Sequence, residues 1–142
     1  MMTAKQSRAT LVRSEDQPVE SWKSGEAPGV SWRTLISSDR TATSGLCAGK
    51  CDVEPGGELS RHRHEQAEVY HFLDGSGKVF VNNEVFLVGK GDTVFIPGNA
   101  WHRIVNESDQ ALSLFYCFAT DSFSEVVYTY GDGSTWQTEP AK

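Results

Sequence analysis

The sequence predicts an all-β protein, a sandwich or barrel of many short strands. Three observations predict it. Between Val30 and Tyr130 the chain is a succession of short runs rich in Val, Ile, Thr, Phe and Tyr, residues that suit a pleated surface. Turn-forming clusters of Gly, Pro, Asn and Asp separate the runs, in a chain with 13 glycines. No segment of that span places apolar residues at helical spacing between recognisable caps.

Residues 1–29 read as an N-terminal arm and residues 30–142 as the barrel domain. Up to about residue 20 the arm has few apolar side chains to order it, so flexibility is expected. Val30 to Ile36 is a β-branched and aromatic strand, and Thr43 to Val53 is extended and small. Pro55-Gly56-Gly57 turns the chain into Leu59 to His64 and then Ala67 to Leu73. After a turn at Asp74-Gly75-Ser76-Gly77, Lys78 to Val81 and Glu84 to Val88 flank Asn82-Asn83. That pair is a two-residue hairpin signal, because asparagine tolerates positive φ. Gly89-Lys90-Gly91-Asp92 turns again, before strands at Thr93 to Ile96, Trp101 to Val105 and Ala111 to Ala119. Ser122 to Tyr130 is the last expected strand.

A length of 142 residues suits one domain with a real core, and 38% hydrophobic with 23% charged residues is a soluble globular balance. The net charge of −6 argues against phosphate-backbone binding, so nucleic acid is not an expected partner. A small acidic ligand stays open, because the local field governs its binding. Met1 to Pro18 is polar and lacks the apolar core of a signal peptide, and no apolar run approaches membrane-spanning length. The expectation is a cytoplasmic protein with no membrane partner. Cys47, Cys51 and Cys117 show no zinc-finger spacing and are expected as reduced, partly buried thiols.

The chemistry concentrates in Gly56 to Glu68. In an extended segment, residues two apart point to one face, so His62, His64 and Glu68 are expected to project the same way. Two imidazoles and a carboxylate on one inner wall make most of a metal site. Gly56, His62, His64, Glu68 and Gly75 fill the pattern G-x5-H-x-H-x3-E-x6-G. Downstream, Gly91, Pro97, His102 and Asn106 fill G-x5-P-x4-H-x3-N.

On these nine positions the chain resembles a single-domain cupin over about residues 43–119. The resemblance implies a double-stranded β-helix, a jelly-roll barrel with both motifs on neighbouring strands inside it. It also implies that His62, His64, Glu68 and His102 bind one divalent metal. Imidazole and carboxylate donors suit Mn, Fe(II), Co, Ni or Zn, and leave the choice open. Four protein ligands on a six-coordinate ion leave room for water or substrate. The ordinary alternative is surface or hydrogen-bonded histidines; three of the four histidines fall on motif positions, which favours metal. His71 is out of phase with Glu68 and is expected to face outward. Asn99 stands where the family usually has glycine, and is expected to take positive φ in its place.

Tyr70 follows Glu68 by two and shares its inward face, continued by Phe72. A nearby cation favours phenolate and lowers the phenol pKa, which makes Tyr70 a candidate general base; the alternative is a packing role. Tyr116, Tyr128 and Tyr130 come from the last third of the chain, with Tyr128 and Tyr130 on one strand face. Trp32, Phe95, Trp101 and Phe118 are candidate apolar pocket walls, while Arg61, Arg63 and Arg103 are expected to point away from the cavity.

The chain is also similar to the small cupin-type dimethylsulfoniopropionate lyases, in size and in the run His-x-His-x3-Glu-x-Tyr filled by His62, His64, Glu68 and Tyr70. That similarity matches Tyr128 to their late tyrosine and makes Tyr70 and Tyr128 the candidate catalytic residues. The implied reaction is β-elimination on a small carboxylate, giving acrylate and dimethyl sulfide. Competing expectations are a metal-dependent dioxygenase, a sugar isomerase, or a non-catalytic small-ligand-binding barrel. Small cupins often pair through their outer sheets, so a homodimer is expected.

Overall fold

The computed structural model describes residues 8–22 and 25–138. The described strands are β1 (Glu20–Ser21), β2 (Val30–Ile36), β3 (Cys47–Val53), β4 (Glu58–Arg63), β5 (Glu68–Asp74) and β6 (Ser76–Val81). They continue as β7 (Glu84–Gly89), β8 (Thr93–Ile96), β9 (His102–Val105), β10 (Leu112–Phe118), β11 (Tyr128–Tyr130) and β12 (Thr135–Trp136). They form two six-stranded sheets, ordered β1-β2-β3-β10-β5-β8 and β12-β11-β4-β9-β6-β7. From β3 to β11 the chain passes back and forth between the sheets, with the β6–β7 hairpin counting as one visit. Pairing is antiparallel throughout. This is the jelly roll that the resemblance implies, one form of the sandwich or barrel that the short strands predict. No helix among the described residues is long and apolar enough to cross a membrane.

The core lies between the sheets because apolar residues alternate along the strands. In β10, Leu112, Leu114, Tyr116 and Phe118 point in and are buried, while Ser113, Phe115 and Cys117 point out. Cys47 and Cys51 are free and buried, and Cys117 is half-buried. Asn82 and Asn99 take the expected positive φ, 50° and 64°, whereas Asn83, the second residue of the hairpin signal, does not. The Asn99 N–H donates to the His64 carbonyl at 2.7 Å, which docks the Pro97–Asn99 turn against the histidine loop.

Three expectations need correction. The strand expected from Thr43 begins at Cys47. The strand expected over Ser122 to Tyr130 opens instead with a 3-10 turn at Phe123–Glu125, capped by the Ser122 hydroxyl accepting from Ser124 N–H. The expected flexible arm is tied down over residues 14–22, while its first seven residues lie outside those described. There β1 pairs with β2, and the Arg33 guanidinium donates to the Ser14 and Gln17 carbonyls at 3.1 and 2.7 Å. Glu20 takes a two-pronged contact from Arg40 at 2.8 and 3.0 Å. These anchors are polar and distant in sequence, so an apolar count of the arm misses them.

Gly49 shows how tightly the core is packed. It pairs with Tyr116 across β3 and β10. A Cβ there would meet the Tyr116 hydroxyl at 2.2 Å and the Arg33 carbonyl at 2.6 Å. Neither can retreat, one being an inward-packed ring and the other backbone. Gly49→Ala is therefore expected to cost about 3 kcal/mol, the upper part of the usual overpacking range. Urea unfolding measures this, and an unchanged midpoint would refute the tight approach.

Candidate metal centre

His62 lies on β4 and His102 opens β9, and the two pair directly across neighbouring strands. The register between these strands slips by one residue between Leu59 and His62. Leu59 and His62 both point inward although three residues apart, and Arg61 between them is exposed. This bulge re-aims the strand so that the histidine faces the core. The expectation that His62, His64 and Glu68 share one strand face is corrected. β4 ends at Arg63, and the chain then crosses to the other sheet, where Glu68 begins β5. The four side chains still meet, reaching inward from both sheets.

All four are buried, from 0% exposure for His62 to 3% for His64 and Glu68. The His62 and His102 ring centroids are 4.0 Å apart, and those of His64 and His102 are 4.8 Å apart. The ligand atoms of His62, His64 and His102 lie within 4.8 Å of one another. Each Nδ1 faces a backbone carbonyl two residues away: Ser60 at 2.7 Å, Gln66 at 2.9 Å and Ala100 at 2.8 Å. A carbonyl only accepts, so each Nδ1 carries a proton and each ring turns its Nε2 inward.

The His64 and His102 Nε2 atoms lie 3.2 and 3.3 Å from the same oxygen, Glu68 Oε1. The His62 Nε2 is buried and has no hydrogen-bond partner among the described residues. Two imidazoles thus converge on one carboxylate oxygen with a third beside them, a set of groups that could hold a cation. Neighbouring ligands on an ion with bonds of about 2.1 Å lie about 3 Å apart, which the two separations from Glu68 Oε1 match. Burial, then the adjacent His102, pushes the His62 imidazole well below its usual 6.5. Burial works to raise the Glu68 carboxyl, but contacts with His102 and His64 outweigh it and hold it below its usual 4.5. A neutral imidazole and an ionised carboxylate are the forms that ligate metal.

These shifts carry a pH dependence of one sign. The depressed His62 pKa contributes stability that is full above 6.5, the unfolded value, and is lost as pH falls. Glu68 contributes stability present above 4.5 and lost as pH falls through its lower folded value. The melting temperature of chelator-treated protein is therefore expected to drop steadily on acidification below 6.5. A flat or rising melting temperature over that window contradicts the assignment.

Tyr70 is buried on β5, its ring 6.1 Å from that of His102. Burial, then the Glu68 charge, pushes its phenol well above 10. The protein alone thus acts against the phenolate, so ionising Tyr70 requires positive charge in the histidine cluster. Tyr128 stacks on His62 at 4.8 Å with 22° between the rings, and burial and Glu68 raise its phenol too. Tyr130 is buried behind it, 6.4 Å from His62, and burial pushes its phenol to about 12.

Glu68, Tyr70 and Tyr128 open onto an aromatic cavity also walled by Trp22, Trp32, Tyr116, Phe118 and Phe123. The cavity has about 20 Å³ of room, enough for one water molecule. Admitting a substrate therefore requires the wall to part. Trp22 covers it from the first sheet, 4.6 Å from Trp136 of β12 and 5.4 Å from Tyr128. Trp32 and Phe118 wall the cavity as expected, but Phe95 and Trp101 do not. Phe95 is 64% exposed, because Val94 and Ile96 on either side of it point in. Trp101 precedes inward-facing His102 and lies outside, under the Arg61 and Arg63 guanidiniums at 4.3 and 4.8 Å. Arg103 also points outward and pairs with Glu58. His71 lies half-buried on the outer face, with Thr93 at 2.8 Å. Sequence reasoning missed Trp22 and Trp136; the one available signal was a tryptophan in an otherwise polar arm.

The cupin domain profile matches residues 49–118. The chain is 35% identical over 101 residues to the dimethylsulfoniopropionate lyase DddW of Ruegeria pomeroyi, a match covering 71% of this chain and 66% of that one. It is 37% identical over 71 residues to gentisate 1,2 dioxygenase 1 of Aquipseudomonas alcaligenes, covering 49% of this chain and 20% of that one. Both relatives thus extend well beyond the matched segments. Among solved structures, the polyketide cyclase RemF of Streptomyces resistomycificus superposes with a TM-score of 0.72 at 19% identity, covering 95% of this chain and 89% of that one. Profile, relatives and architecture agree: the chain belongs to the cupin domain family.

Proposed function

We propose that this cupin is a metal-dependent lyase that performs β-elimination on a small carboxylate, with dimethylsulfoniopropionate as the substrate. The observation that carries the reading is the position of Tyr70. It sits one inward step from Glu68, beside His102, on the wall of the aromatic cavity. The likeness to the Ruegeria lyase supports the same chemistry.

His62, His64, Glu68 and His102 would hold one divalent transition-metal ion, which would supply Lewis acidity toward the substrate carboxylate and so make the adjacent α-proton more acidic. Tyr70, as phenolate, takes that proton onto its oxygen. The Cα–H electron pair becomes the C=C bond, the Cβ–S bond breaks, and dimethyl sulfide leaves with the sulfur electron pair. Acrylate remains. Tyr128 closes the cavity against His62 and keeps the substrate beside Tyr70. The aromatic walls attract a sulfonium by about 0.5–2 kcal/mol for each well-placed ring. The Trp32 Nε1 and Tyr116 hydroxyl belong to residues lining the cavity, are buried without hydrogen-bond partners among the described residues, and offer donors to an anionic ligand.

Purified protein loaded in turn with Mn, Fe(II), Co, Ni and Zn, then given dimethylsulfoniopropionate, is expected to release dimethyl sulfide into the headspace. No release with any of these ions refutes the proposal. The second reading is an iron-dependent dioxygenase, favoured by the three-histidine cluster and the likeness to the gentisate enzyme. Oxygen uptake that requires Fe(II) and an aromatic acid would select it.

A further inference from the structure

β7 ends the second sheet, so one of its edges is unpaired among the described residues. Its partner β6 buries Val79 and Val81 and alternates them with Lys78 and Phe80. β7 does not alternate in chemistry: Val85-Phe86-Leu87-Val88 is one apolar run. Val85, Phe86 and Leu87 are 54, 38 and 77% exposed. A continuous apolar run belongs to a strand covered on both faces. The usual protections of an edge are missing: there is no proline, and the β6–β7 register has no bulge. Charges stand only at the two ends, Glu84 and Lys90, both exposed.

The backbone of this edge sets how a neighbour can join it. Asn82-Asn83 closes a two-residue hairpin, which makes Val81 and Glu84 the hydrogen-bonded closing pair. Hydrogen-bonded pairs then alternate along the ladder. Glu84, Phe86 and Val88 turn their N–H and C=O toward β6, while Val85, Leu87 and Gly89 turn theirs outward. Those of Gly89 are already used: its N–H donates to Asp92 Oδ2 at 2.8 Å, and its carbonyl accepts from Asp92 N–H at 3.0 Å. Four open groups remain, on Val85 and Leu87.

We propose that this edge pairs with the same edge of a second copy of the chain, about a twofold axis at Phe86. An antiparallel register with Val85 opposite Leu87 of the second copy, and the reverse, satisfies all four open groups. Phe86 then faces its own counterpart at the non-hydrogen-bonded position, where side chains come closest. Glu84 then lies near the turn that carries Lys90 of the second copy, one residue beyond the strand end and within reach of long side chains. The axis makes that ion pair twice. Opposite charges at the two ends of one apolar edge make the edge complementary to itself, which selects a second copy over an unrelated strand.

Sedimentation velocity on the full chain tests this. The wild type is expected to dimerise. Leu87→Pro removes only the outward N–H and is expected to be monomeric. Glu84→Lys sets like charges at both ends of the seam and is expected to weaken the dimer by about tenfold. The double variant Glu84→Lys/Lys90→Glu is expected to restore it, which a variant that merely unfolds β7 would not do. A wild type that stays monomeric at every accessible concentration overturns the proposal. So does a dimer indifferent to these changes, or one that the double variant fails to restore.

Discussion

Replacing His102 by alanine is expected to leave a folded protein that no longer retains a divalent ion. His102 supplies one of three buried Nε2 atoms and lies 3.3 Å from Glu68 Oε1, so its loss opens the cluster on two sides. Partners that merely orient a ligating histidine are worth about 10–100-fold in metal affinity, so a ligand itself is worth at least about 100-fold. The metal-free fold should tolerate the change, because the His64 contact with Glu68 Oε1 remains. Metal content by mass spectrometry after dialysis, beside circular dichroism, reads both halves. Stoichiometric metal in folded His102→Ala protein removes His102 from the centre.

Tyr70→Phe is expected to lower dimethyl sulfide release by about 10²–10⁴-fold, the range a general base contributes. Metal content should not change, because the phenol is not among the expected ligands. Phenylalanine keeps the ring that packs 6.1 Å from His102 and 6.3 Å from Phe72, so the cavity wall survives. The wild-type rate should also rise with pH, since burial and the Glu68 carboxylate hold the Tyr70 phenol well above 10 and only its ionised form accepts the proton. Unchanged turnover in the metal-loaded variant eliminates Tyr70 as the base. An unchanged pH profile with lost turnover assigns it to positioning instead.

The parts of the site legible in the sequence are those fixed by spacing along one local stretch. The inward aim of Tyr70, two beyond Glu68, follows from strand parity; Asn99 at φ 64° follows from what a tight turn demands of its backbone. The parts not legible depend on partners far away in the chain. The bulge after Leu59 is defined only against β9. The docking of the arm depends on Arg33 and Arg40 meeting Ser14, Gln17 and Glu20. The aromatic cover joins Trp22 near one end of the chain to Trp136 near the other. Parity also misled where it was not applied: Phe95 alternates with Val94 and Ile96 and had to face out. The direction of the Tyr70 shift was hidden because it reflects how much dry protein surrounds the phenol, which a list of neighbours along the chain does not measure.

His62 and His102 belong to one sheet and Glu68 to the other. Whatever joins these side chains therefore also clasps the two halves of the sandwich. An ion at a thousand times its dissociation constant adds about 4.1 kcal/mol to folding, a large part of the stability of an ordinary domain. Metal supply would then govern how long the protein survives as well as how fast it works. A cell starved of the ion would lose the molecule itself to unfolding and proteolysis, so abundance would report metal status without any dedicated sensor.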